Sequence, residues 1–379
     1  MPPLTPKGIA VLHSDHTTTS LSLLNENAQI VFDDCLHSGS MDAKLTQAIS
    51  GNVALPSQIQ IVGGDLILVD RTLGVLTYVD RATCAVTKQI KVNTNFKANP
   101  QDVLTLSPNK AYVTRYNQND AATPAAEDLD DGNDILVFDP SSQALIKRID
   151  LRPFAGAAPG DGILPRGDRM LSIGGLVYVS LNNLDVNFKK SGPGRVLVID
   201  PASDAVTGQI ELPGLENCGA LATDGSSLFV SCLGLLAAGP GVTDLSSGVA
   251  RVTLPTREVR VLGSTVFGGG VVSAFSLAVL DRDRIAALTL GDFNAQTPDR
   301  LWVANATTST AAQAFQGSGP FSLQAVLADK MMNRYWLTDA GSEPRLRSFN
   351  VDAAGAVTAA EVLQTSLTRK LPPSAIAWY

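Results

Sequence analysis

Alternating apolar and polar positions run along most of this chain, and they come in short paired stretches. The segments GVLTYVDRATCAVTKQIKV (74–92), DILVFDPSSQALIKRIDL (134–151) and RVLVIDPASDAVTGQIEL (195–212) superpose. Each predicts a strand, a short turn and a second strand, because a period of two sends successive side chains to opposite faces. In two of them the turn opens with Asp-Pro: Asp can accept bonds from the backbone just ahead, and Pro presets φ at the next position. A companion piece recurs at 99–116, 166–183 and 216–234, again as strand, tight turn, strand. Degenerate copies follow at 275–292 with 299–305 and at 321–340 with 344–351, and an earlier one stands at 56–72.

The two ends complete the pattern. Residues 8–15 look like a second strand with no first strand before it, and 372–379 like a first strand with no second strand after it. Joined, they make one more unit, for about seven units of four antiparallel strands. A four-stranded sheet cannot bury both faces alone, but sheets packed radially can. The fold expected is therefore an all-β, seven-bladed β-propeller forming a single domain over 1–379, with about 1–7 as a disordered tail. The C-terminal strand would close the ring and protect an otherwise open edge. A pair of β-sandwiches would not account for matching half-units at the termini.

The stretches YVTR (Tyr112–Arg115), YVSL (Tyr178–Leu181) and FVSC (Phe229–Cys232), with VLVIDPASDAVTGQI downstream, resemble the YVTN-type β-propeller repeat. The resemblance covers nearly the whole chain, with the first, sixth and seventh units divergent. It implies the propeller fold and relatives similar to extracytoplasmic binding proteins, surface-layer proteins and non-catalytic or electron-transfer subunits. It does not fix a function.

Composition narrows the field. The chain has 379 residues, 45% hydrophobic and 17% charged, enough apolar material for a large core and unlike a disordered chain. The net charge is −7, and nothing forms the basic stripe that nucleic acid or an anionic membrane surface would need. No apolar run reaches the roughly 18 residues that span a bilayer, so no transmembrane segment is expected. The protein is expected to be a monomer.

Four cysteines are present and none forms a C-x-x-C pair. Cys218 and Cys232 flank a hairpin turn near Asp224–Ser226 and fall opposite each other, so they can form a disulfide or remain buried thiols. Cys35 and Cys84 then pair by elimination, although Cys35 lies late in one outer strand and Cys84 in the turn before another, ends that normally lie apart. The N-terminus MPPLTPKG lacks the charged and apolar regions of an export signal, so the chain is either cytosolic or written without its signal. Disulfides would imply export to the periplasm or cell surface.

Long insertions occur at 117–133, 184–193, 235–247 and 292–299, all joining a second strand to a third. In propeller geometry these links share one face, the top, where ligands usually meet the fold. The insertion NQNDAATPAAEDLDDGND carries six carboxylates and no basic residue. Asp128, Asp130, Asp131, Asn133 and Asp134 could supply oxygens to Ca²⁺ around Gly132, though the spacing is not that of an EF-hand. The alternative is a solvated acidic loop. All three histidines, His13, His16 and His37, map with Asp15 to the top of the first blade, as a second candidate metal site or as plain loop histidines. Aligning the first-strand starts places Gln58, Asp102, Arg169, Ser276, Ser322 and Ser374 around the channel mouth, with Gly219 at the remaining place. Asp102 and Arg169 would there form either a structural ion pair or part of a ligand grip.

No G-x-S-x-G elbow, H-E-x-x-H motif or Walker loop is present. The leading expectation is an exported scaffold that binds a small molecule, peptide or protein through its top face and channel mouth, without catalysis and with no certain cofactor. A metal-dependent, lactonase-like propeller hydrolase and a structural cell-surface protein are the alternatives.

Overall fold

The computed structural model describes residues 8–58, 65–120, 129–156, 158, 160–235 and 245–379. The expected N-terminal tail, 1–7, lies outside them. Among the described residues the strands form seven four-stranded antiparallel sheets, blades 1 to 7 in chain order, and one two-stranded sheet in which Ile163–Leu164 pairs with Leu184–Asp185. Blade 3 shows the plan: Pro100–Ser107 is innermost, followed outward by Lys110–Gln118, Gly132–Phe138 and Leu145–Asp150. Blade 1 is built from both ends of the chain. Pro373–Trp378 is its innermost strand and pairs with Gly8–Ser14, Ile9 lying opposite Trp378 and Val11 opposite Ile376. The seven-bladed expectation and its closure by the C-terminal strand both hold.

One unit begins earlier than the repeat suggests. In blade 2 the described part of the innermost strand is Val53–Ala54, with Val53 opposite Asp70, so the strand begins ahead of residue 56. Residues 59–64 lie outside the described residues. Gln58 lies beyond that described part and does not open the strand.

Alternation explains how the sheets stack. Along the second strand of blade 3, Ala111 and Val113 pack into a cluster with blade 2 residues Val69 and Leu76, while Tyr112 between them packs with Met170 and Val177 of blade 4. Each central strand thus feeds two cores. Seven buried clusters result, one at each junction between neighbouring blades, including that of blades 7 and 1 around Trp336 and Ile376. Each fully buried Leu, Val, Ile or Phe side chain contributes roughly 1.5–3 kcal/mol by leaving water.

The recurring hydroxyl of the YVTR, YVSL and YWLT stretches has a structural reason. In blades 3, 4 and 7 the innermost strand is bulged, three residues spanning two on its neighbour. A bulge leaves a backbone N–H without its ladder partner. Thr114 Oγ1 accepts from Asp102 N (3.0 Å), Ser180 Oγ from Arg169 N (3.0 Å) and Thr338 Oγ1 from Ala325 N (2.8 Å). Thr114 also donates to Asp168 O of blade 4 at 2.8 Å, tying two blades together. The Asp-Pro turns behave as their chemistry dictates: Asp139 accepts from Ser141 N and Asp200 from Ala202 N.

Both disulfides are formed, Cys218 to Cys232 and Cys35 to Cys84. Cys218 and Cys232 are register partners through a bulge: at the turn Thr223 faces Leu228, and the register shift between Cys218 and Leu221 brings the two cysteines opposite each other. Cys35 and Cys84 are closer than ideal strand geometry suggests, with Cα atoms 5.3 Å apart. The outer strand of blade 1 bulges between the partners of Leu23 and Leu21, with Asp34 at φ 68°, and Cys35 sits in that widened stretch.

Replacing Thr114 by Val keeps the shape and removes both bonds of the bulge. Urea unfolding should show a loss of about 2–3 kcal/mol at unchanged m-value, since two buried backbone groups are left unsatisfied. A neutral result would mean that the bulge needs no hydroxyl.

Candidate functional site at the top of the channel

The second-to-third strand links and the blade-to-blade links lie on one face of the ring. Among the described parts of the four insertions, those of blades 3, 4, 5 and 6 all fall on this top face. Residues 121–128 and 236–244 lie outside the described residues.

The described members of the acidic insertion do not gather into one cage of oxygens. Asp134 is buried and accepts two bonds from Arg115, Nε at 2.7 Å and Nη2 at 2.6 Å. Asp131 takes Arg148 at 3.0 Å and Arg152 at 2.6 Å. Asp130 turns to Asn95, and Asn133 donates to Gln118 at 3.1 Å. Asp128 lies outside the described residues. The composition of the insertion hid these partners because the arginines come from neighbouring strands: Arg115 precedes it, and Arg148 and Arg152 follow it. Burial pushes the Asp134 carboxyl up, and Arg115 opposes that by hydrogen bond and charge.

The histidines are also dispersed. His13 is buried, with Nε2 bonded to Thr365 Oγ1 at 2.9 Å. His16 occupies an exposed turn at φ 70°, where Asp15 caps the backbone N–H groups of Thr17 and Thr18. His37 Nδ1 accepts from Gly39 N at 2.9 Å. Among the described residues no three His, Cys, Asp or Glu side chains come together in a way that could hold a metal ion.

Of the six residues aligned on the channel, three converge. Asp102 is fully buried and staples blades 2, 3 and 4: Oδ1 accepts from Ser57 N and Val103 N, both at 2.9 Å, and Oδ2 from Met170 N at 2.7 Å. Burial raises its pKa, opposed first by the charge of Arg169. Arg169 reaches across to Leu55 O (3.3 Å) and Gln101 O (3.2 Å), with Asp168 at 3.5 Å from its Nε. Gln58 accepts from Ser172 N at 2.9 Å. The serines stand apart, each spent on backbone: Ser276 on Val326, Ser322 on Gly319, Ser374 on Leu12. Gly219 has to be glycine, since a Cβ there would lie 2.4 Å from Ala274 O and 2.9 Å from Asp168 Oδ2.

The sequence alignment missed the groups beside this staple. Arg71 opens the short second-to-third strand turn of blade 2, and the charges of Arg169, Asp168 and Asp102 act on it. Arg166 lies over the rings of Tyr116 (4.9 Å) and Phe188 (4.7 Å).

No family model matches the chain, and no curated protein does. Solved structures resemble it in fold. A hypothetical selenium-binding protein from Sulfolobus tokodaii superposes with a TM-score of 0.62 at 10% identity, covering 100% of this chain and 94% of that one. A 6-phosphogluconolactonase-like protein from Bacteroides uniformis gives 0.57 at 12% identity, covering 98% and 100%. BamB from Moraxella catarrhalis gives 0.51 at 14% identity, covering 95% and 86%. At such identities the likeness is one of fold, and the YVTN-type resemblance stands as a likeness of motif within it.

Two outcomes follow. Arg115→Met should cost about 3–5 kcal/mol in urea unfolding, because it leaves Asp134 charged and buried, and Arg115→Met with Asp134→Leu should recover most of that. Burial holds His13 near pKa 4, below its ordinary 6.5. The unfolded chain therefore binds more protons between these values, and stability falls as pH drops from about 6.5 towards 4. Between pH 7 and pH 5 this histidine alone should remove about 2 kcal/mol, and His13→Gln should lose correspondingly less over that interval.

Proposed function

We propose that this chain is an exported propeller scaffold that binds a ligand or protein partner through its top face and channel mouth, without carrying out chemistry on it. The observation that supports this best is apolar. Phe188, Phe293 and Phe321 stand 53%, 65% and 55% exposed on top-face connections, and Phe275 is 62% exposed on the innermost strand of blade 6. The rings of Phe293 and Phe321 are neighbours, 6.3 Å apart. Exposed aromatic side chains grouped on one face mark a binding surface more often than a solvated one. Their setting is rigid, because the ring beneath them is closed.

Export is supported by the two disulfides, which persist in oxidising compartments. No helix among the described residues is long and apolar enough to cross a membrane. The propeller neighbours include enzymes as well as scaffolds, so fold alone decides nothing here.

Thermal-shift screening against small-molecule and peptide panels, followed by hydrogen exchange on the hits, tests the reading. Protection is expected at 184–193, at 292–299 and at the first-strand starts, with the ligand recovered unchanged. Phe293→Ala with Phe321→Ala should weaken binding about tenfold or more. Protection confined to the opposite face would defeat the proposal, and turnover of the ligand would favour a hydrolase.

A further inference from the structure

Among the described residues Arg71 donates no hydrogen bond to the protein through its guanidinium. Its backbone N–H is used, by Asn52 O at 3.0 Å, but its side chain has no acceptor among the described residues, and its Nε is fully buried. The carboxylates nearby are already committed. Asp102 is saturated by three backbone N–H groups, and Asp168 is shared between Arg169 at 3.5 Å and Asn182 Nδ2 at 3.3 Å. Burial pulls the Arg71 pKa down to about 10, with the like charge of Arg169 as the next cause, so it stays charged at neutral pH with its donors unspent. Tyr116 adds a hydroxyl with no partner among the described residues, and burial keeps it protonated, hence a donor. Arg71, Tyr116 and Arg169 are each half-buried, so each keeps some surface open to solvent.

We propose that Arg71, Tyr116 and Arg169 form a carboxylate-binding site at the upper end of the channel, so that the ligand taken by the top face carries a carboxylate at this point. The proposal rests on the top-face reading above. A planar guanidinium with parallel free N–H groups matches the two oxygens of a carboxylate. The two guanidinium charges near the site are balanced by Asp168 and Asp102, which suits a monoanion and disfavours a phosphate dianion. Arg166, held between the rings of Tyr116 and Phe188 and bonded to Leu184 O and Asp185 O, walls one side and fixes the tyrosine. Phe188, against Arg166 on the same face and 53% exposed, offers an apolar surface for the body of such an acid.

Titration calorimetry at low ionic strength with acetate, benzoate, succinate, benzyl alcohol, benzylamine and phenyl phosphate tests the site, alongside melting curves of each variant without ligand. At least one carboxylate should bind saturably and benzylamine should not. Arg71→Met should weaken the bound carboxylate about ten- to hundredfold, the cost of a charged hydrogen-bonding partner. The same variant should melt at or above the wild type, because an unpartnered buried charge is removed and no bond is lost. Tyr116→Phe should weaken binding several-fold with the fold intact. The site is refuted if no carboxylate binds saturably, if benzyl alcohol or phenyl phosphate binds best, or if Arg71→Met leaves binding unchanged. A large drop in melting temperature for Arg71→Met would instead make Arg71 a structural brace and also refute it. A top-face ligand that is indifferent to Arg71→Met ends this inference and leaves the wider reading standing; absence of any top-face ligand ends both.

Discussion

A strand buried on both faces has no solvent side on which to hide a mismatch. That constraint governs this molecule. Along Lys110–Gln118, odd positions pack towards blade 2 and Tyr112 packs towards blade 4, so a slip of one residue would exchange the two cores. The same holds around the ring, and register in one blade depends on its neighbours. The C-terminal strand makes the dependence circular. Without Pro373–Trp378 on the inner edge of blade 1, Ile9 and Val11 would lose their cross-strand partners and the last junction its apolar cover.

Two-sided burial also decides what polar residues can do inside the ring. Every buried donor needs an acceptor, and the bulges of the innermost strands create new donors. Thr114, Ser180 and Thr338 answer that need from the adjacent strand. Asp102 answers it across three blades, which is why a carboxylate can sit with no exposure at all. Arg115 and Asp134 solve a different problem. They anchor the start of the third strand of blade 3, where the acidic insertion returns to the sheet. The carboxylates that look like a cation site along the chain are, for Asp131 and Asp134, half of an arginine network.

The fold was legible because it repeats. Period-two alternation, Asp-Pro turns and the two terminal half-strands each pointed to one ring. The hairpin count paired Cys218 with Cys232, and the structure reaches that pairing through a bulge and not through the register at the turn. Where an element departs from the repeat, legibility fails. The first strand of blade 2 begins at Val53, ahead of the repeat's start at 56, and the bulge at Asp34 brings Cys35 to Cys84. The site was read less well than the fold. Aligning strand starts found Asp102 and Arg169 but paired them with each other, whereas both are spent mainly on backbone from neighbouring blades. Spatial partners 68 residues apart, such as Asp102 and Met170, leave no local trace. Arg71 was invisible for the same reason: what marks it is the lack of a partner, and only coordinates show that.

A closed ring of seven packed junctions has little freedom to adapt its channel to a guest. Hinge motion would open a junction and expose a core, so recognition must come from side chains that the framework leaves unused. At the inner edge of blades 2 to 4 the framework uses much of what it has: hydroxyls on bulges, Asp102 on backbone, and Nη1 of Arg169 on carbonyls. A charged donor that remains idle in such an environment lowers stability, and a sequence under selection for stability alone would replace it with an apolar residue. Arg71 therefore stands out by what it costs. An unspent guanidinium of this kind, with the Tyr116 hydroxyl as a second free donor, is the pattern expected when binding and not folding sets the choice of residue.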